Sequence, residues 1–119
     1  MKQEFERERK RLRIASVLQK ELWTILRHDF SDERLAFLTI TAVKVSKDFR
    51  KATITVSPMG SLEEKEAAIA ALQESRRHIR QILASRIAIR SIPELEFIPE
   101  DGSAARIEEI LREIQDERK

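Results

Sequence analysis

Ile14, Val17, Leu18, Leu22, Ile25 and Leu26 recur at three- and four-residue spacing, which predicts an amphipathic helix from about Arg9 to Arg27, its charged start frayed. The period then changes. Leu38 to Val45 is rich in β-branched residues and reads as a strand. The stretch from Lys51 to Ser57 alternates strictly, with Ala52, Ile54 and Val56 on one face and Lys51, Thr53, Thr55 and Ser57 on the other. Ser46 to Arg50 joins the two strands, most simply as a hairpin.

Ser57-Pro58-Met59-Gly60 stops the second strand, and Ser61 with Glu64 forms a capping-box signature that opens a helix. Helical spacing continues through Ala68, Ile69 and Leu72 to Ile79, Ile82 and Leu83, with a break or kink expected in the polar patch Gln73 to Arg77. Pro93 ends any helix, and Leu95 and Phe97 alternate with Glu94 and Glu96 as a third strand. Gly102-Ser103 then opens a C-terminal helix carrying Ile107, Ile110, Leu111 and Ile114. The order α-β-β-α-α-β plus a C-terminal helix predicts an α+β domain, a three-stranded sheet packed on helices with one face left open. At 119 residues the chain is expected to form one domain over 1–119, with 1–8 frayed and 103–119 as the C-terminal helix and tail.

Composition narrows the chemistry. There is no cysteine, hence no disulfide and no thiolate ligand, which fits a reducing compartment. The charged N-terminus has no apolar segment behind it, and no apolar run is long enough to cross a bilayer, so a soluble cytoplasmic protein without a membrane partner is expected. With two glycines in the chain, neither a phosphate-cradling loop nor a dinucleotide fingerprint can be written. His28 and His78 make no metal-ligand spacing, and acid pairs such as Asp32-Glu33 or Glu108-Glu109 are explained by helix and turn contexts. A non-catalytic protein with no metal, cofactor or small-molecule substrate is the reading.

Charge is informative because of where it lies. The formal net charge of +2 hides a basic body, 19 basic against 12 acidic side chains in residues 1–92, and an acidic end, 4 against 9 in residues 93–119. Between Arg76 and Arg90 stand Arg76, Arg77, Arg80, Arg86 and Arg90 and not one acid. Arginine is permanently charged, and its planar fork fits phosphate and stacks on bases, so such a run marks a nucleic-acid footprint. The competing reading is a solvated helix face. On a continuous helix Arg76, Arg77 and Arg80 share one arc beside the apolar stripe of Ile79, Ile82 and Leu83, facing solvent together. Lys44, Lys47, Arg50 and Lys51 form a second cluster at the hairpin, so a groove between two positive regions is expected. Trp23 lies opposite Ile14 on the helical wheel and Phe49 sits in the hairpin; each either packs or stacks on a partner.

Arg13-Ile14-Ala15, Gln19-Lys20-Glu21-Leu22, Ile25-Leu26, Asp32-Glu33-Arg34-Leu35, Leu38-Thr39-Ile40-Thr41 and Val43-Lys44-Val45-Ser46-Lys47-Asp48 follow one another in an order that resembles the ribosome-binding factor A family. Ala71-Leu72-Gln73-Glu74, Ile79-Arg80 and Arg90-Ser91-Ile92-Pro93-Glu94-Leu95-Glu96-Phe97 extend the resemblance over most of residues 9–116. It implies a type II KH-like domain, and a monomeric factor that binds free 30S subunits and 16S rRNA. It further implies a part in late 16S maturation, 5′-end processing included, and in growth in the cold. The family lacks the GxxG loop of ordinary KH domains, as does this chain. Family members carry an Ala-x-Gly kink between the two central helices, where this chain has Ser75-Arg76-Arg77, and Glu33 stands where the family usually has proline.

Overall fold

The computed structural model describes residues 2–35 and 38–100. Helix α1 spans Lys2–His28 and buries Ala15, Leu18, Leu22, Ile25 and Leu26. It begins at Lys2, not near Arg9, so the charged start expected to fray is helical. Glu, Arg, Lys and Gln are good helix formers, Glu4 stands favourably in the first turn, and Glu8 pairs with Arg11 one turn on. After His28 a short 3₁₀ turn, Glu33–Leu35, is held by Asp32, whose carboxylate accepts from the Arg34 backbone N–H at 2.9 Å and from its guanidinium. That guanidinium also reaches Glu74 at 3.1 Å, fastening the turn to the next helix. Glu33 thus starts a separate turn after α1.

Strands β1 (Leu38–Val45) and β2 (Lys51–Pro58) pair antiparallel, in register from Leu38↔Pro58 to Val45↔Ala52. A bulge falls between Ile40 and Ala42, where the Thr41 hydroxyl donates to the Thr55 carbonyl at 3.2 Å. Gly60, at φ +112°, makes the turn into helix α2, Leu62–Arg86. The expected capping box is present: the Glu64 N–H donates to Ser61 Oγ at 3.1 Å and the Ser61 N–H to Glu64 Oε1 at 3.0 Å.

α2 is one continuous helix, and the break placed at Gln73 to Arg77 is absent. No glycine or proline occurs between Gly60 and Pro93, and Gln, Glu and Arg favour the helix. Ala68, Ile69 and Leu72 before the polar patch and Ile79 and Leu83 after it are all buried, so one register serves both halves. Among the described residues the order is therefore α-β-β-α-β, and the expected C-terminal helix over 103–119 lies outside them.

Strand β3 (Glu94–Pro99) pairs parallel with β2, giving the sheet order β1-β2-β3. Both helices pack on one face of this sheet, as a KH-like fold requires. Leu18, Leu22, Ile25, Ile54, Ile69, Leu72, Ile79 and Leu83 are almost completely buried between the layers. Each such side chain contributes about 1.5–3 kcal/mol. Thr39 and Lys44 lie exposed and Thr53 and Thr55 half-exposed on the opposite face.

Candidate nucleic-acid interface

A parallel partner for β2 requires the chain to travel back along α2 and re-enter the sheet at the end where β2 began. Lys51 stands opposite Glu94, and the Glu94 N–H donates to the Arg50 carbonyl at 2.8 Å. The C-terminal part of α2 and the segment 87–93 are thereby delivered beside the β1–β2 hairpin. Two basic regions far apart in sequence become neighbours through this crossover.

The hairpin is built by a small hydrogen-bond set. The Phe49 N–H closes a turn on the Ser46 carbonyl at 3.0 Å, and the Ser46 N–H pairs with the Lys51 carbonyl at 2.8 Å. Asp48 Oδ1 accepts from the Ser46 hydroxyl at 2.6 Å and from the Arg50 N–H at 3.1 Å. These bonds, the Ser46 hydroxyl first, hold the Asp48 carboxyl below the usual carboxylate range, so it stays ionised. Phe49 takes φ +62°, a left-handed conformation uncommon for a bulky residue, and its ring packs half-buried against the core. Lys10 of α1 stands over that ring at 5.6 Å.

Around this hairpin opens a groove of about 1430 Å³. Lys10 and Arg13 line it from α1, Arg50 from the hairpin, Arg76, Arg77 and Arg80 from α2, and Arg90 from the segment after it. Among the described residues, Asp48 and Glu94 are the only carboxylates of that lining. Val17, Ile87, Ile89 and Ile92 give the floor an apolar character between the cations. Arg80 is anchored, its guanidinium donating to the Ile92 carbonyl at 2.6 and 3.2 Å, and Arg76 reaches Gln73 Oε1 at 3.4 Å. Arg77 and Arg90 are exposed and make no ion pair among the described residues.

The nine sequence-selected cations do not all meet. Arg76, Arg77, Arg80, Arg90 and Arg50 share the groove. Arg86 does not: ten residues after Arg76 it lies about 280° round the helix, where it pairs with Asp29 at 2.8 Å and ties the end of α2 to the end of α1. Lys44 is exposed on the open sheet face opposite Thr53, and Lys47 is exposed in the hairpin turn. Lys51 pairs across strands with Glu96, whose carboxylate raises the lysine's affinity for its proton. Lys10 and Arg13 were not selected from sequence. The signal that finds them is the one that marked α2, since residues 9–20 hold Arg9, Lys10, Arg11, Arg13 and Lys20 and no acid.

Such a lining offers charge and guanidinium forks, with few amides for reading base edges. Among the described residues no three His, Asp or Glu side chains gather to hold a metal ion, and no helix is long and apolar enough to cross a membrane. His78 packs edge-on against Phe30, centroids 5.4 Å apart, which gives it a structural use. Trp23 is 42% exposed, with the Arg27 guanidinium 4.2 Å over its ring.

Known proteins share both sequence and architecture with this chain. The family model described as ribosome-binding factor A matches residues 10–115. Ribosome-binding factor A of Thermomicrobium roseum is 40% identical over 108 residues, spanning 89% of this chain and 84% of that protein. The crystal structure of ribosome-binding factor A from Thermus thermophilus superposes with a TM-score of 0.69 at 30% identity, covering 78% of this chain and 98% of that one. A homology model of the Thermus thermophilus factor, fitted into a cryo-EM map of its complex with the 30S subunit, matches with a TM-score of 0.60 at 32% identity over 71% of this chain and 88% of that one. With its fold, its order of motifs and these relatives in agreement, the chain belongs to the ribosome-binding factor A family.

Proposed function

We propose that this protein is a non-catalytic assembly factor that sets its basic groove on the 16S rRNA of the free small ribosomal subunit and assists late maturation of that RNA, 5′-end processing included. It acts as a cytoplasmic monomer. The observation that carries this reading is the convergence of Lys10, Arg13, Arg50, Arg76, Arg77, Arg80 and Arg90 from four separate segments on one groove. Cations gathered from one helix alone would be explained by solvation; cations gathered by the topology make a surface that fits polyphosphate. The Thermus thermophilus relative fitted into a 30S complex supports the choice of partner. Specificity comes mainly from rRNA shape, because amide and free aromatic groups are scarce in the lining.

Sedimentation of cell extract tests the reading. The protein should travel with free small subunits and be absent from complete ribosomes. Presence in complete ribosomes would make it a structural component, and absence from both would make it a protein-interaction module whose basic face only carries solvent.

A further inference from the structure

The outward side of α1 carries a line of cations, three of which the groove does not use. At about 100° per residue, Arg27 falls on the same line as Arg9, Lys20 within about 20° of it and Arg13 within about 40°. All four are exposed, and none is ion-paired among the described residues. The line from Arg9 to Arg27 is about 27 Å long at 1.5 Å per residue. Glu21 is the only carboxylate in that stretch, half-buried and about 120° away round the helix.

Exposed apolar side chains run beside this ridge: Phe5 at 66%, Leu12 at 60% and Trp23 at 42%. Two of them lie under a cation. Arg27 sits 4.2 Å over Trp23 and Arg9 5.9 Å over Phe5. A guanidinium laid on a ring face keeps its N–H edges outward, and the ring steadies a long side chain that would otherwise lose rotamer freedom on binding. The surface presented is therefore cationic, although its base is apolar. Arg13 belongs both to the ridge and to the groove lining, so the two basic surfaces are continuous.

We infer that the α1 ridge is a second rRNA contact, a straight track for the phosphate backbone of a paired RNA segment that continues out of the groove through Arg13. The inference rests on the rRNA-binding reading of the groove. Duplex is the fitting form because a rigid helix holds its phosphates at fixed spacing, and the cations of the ridge stand nearly in one line. A protein partner fits less well, since two of the three apolar side chains that would anchor it each stand beside an arginine guanidinium that a partner would have to desolvate.

The test uses the full chain with Arg9→Ala, Lys20→Ala and Arg27→Ala combined, changes that keep α1 helical because alanine is the best helix former. In a salt series with free small subunits, the log–log slope of affinity should become shallower by about 2–3 for three lost phosphate contacts. A wild-type slope in this variant, with binding lost in Arg76→Glu/Arg77→Glu, overturns the ridge and leaves the groove standing. Wild-type binding in both overturns both. Trp23 supplies an independent readout, being the only tryptophan in the chain. A saturating RNA duplex of about 16 base pairs should shield wild-type Trp23 from acrylamide. Shielding by the small subunit but not by naked duplex would put a protein on the ridge and overturn the proposal.

Discussion

Ser61, Glu64, Asp32 and Arg80 are polar side chains that do different jobs. Ser61 and Glu64 hold the start of α2, and Ser61→Ala should cost about 1 kcal/mol, read as a lower midpoint in chemical denaturation. The Ser61 backbone N–H keeps the Glu64 carboxyl below its ordinary range, and the Arg34 guanidinium does the same for Asp32. Both groups have lowered folded-state values, so the stability they add is complete above the ordinary carboxylate range and fades as pH falls through the lowered ones. Melting temperature should therefore decline on acidification, and Asp32→Asn should flatten that decline. Arg80 differs from its neighbours because it satisfies the Ile92 carbonyl. Arg80→Ala should cost about 1–2 kcal/mol of stability in denaturant melts as well as a charge. Arg76→Glu with Arg77→Glu should leave the melt unchanged and remove binding, so that pair is the cleaner probe of function.

At the scale of elements, Arg86 separates charge from placement. Arg86→Ala should leave the salt slope of subunit binding as it is in the wild type, because that side chain faces Asp29 and not the groove, whereas Arg77→Ala should make it shallower. An equal effect of the two would mean that total charge, not the groove, governs binding. Strands, hairpin and capping box were legible in the sequence because each rests on local chemistry: alternation in β2, turn residues at Ser46 to Arg50, and the Ser61–Glu64 spacing. The length of α2 was not, since a polar patch on a helix surface looks the same whether the helix breaks or simply meets water there. Burial on both sides of the patch decides it, and burial is a tertiary fact. Likewise nothing local to Lys10 or Arg13 says that α1 passes the hairpin, and an arginine run shows no preferred side until the helix phase is fixed.

For the molecule as a whole, the parallel β2–β3 pairing is what turns scattered basic residues into a surface. Cations from α1, the hairpin, α2 and the segment before β3 meet because the crossover returns the chain to the end where β2 began. On the proposed function, this groove binds small-subunit rRNA through its phosphates. The deciding measurement is equilibrium binding to free small subunits across a salt series, for the wild type and for folded Arg76→Glu/Arg77→Glu. Wild-type affinity should fall steeply with salt, at a log–log slope of about −0.7 to −0.9 per phosphate contact, and the variant should bind far more weakly and with a shallower slope. Affinity independent of salt, or a variant that binds like the wild type, would contradict it.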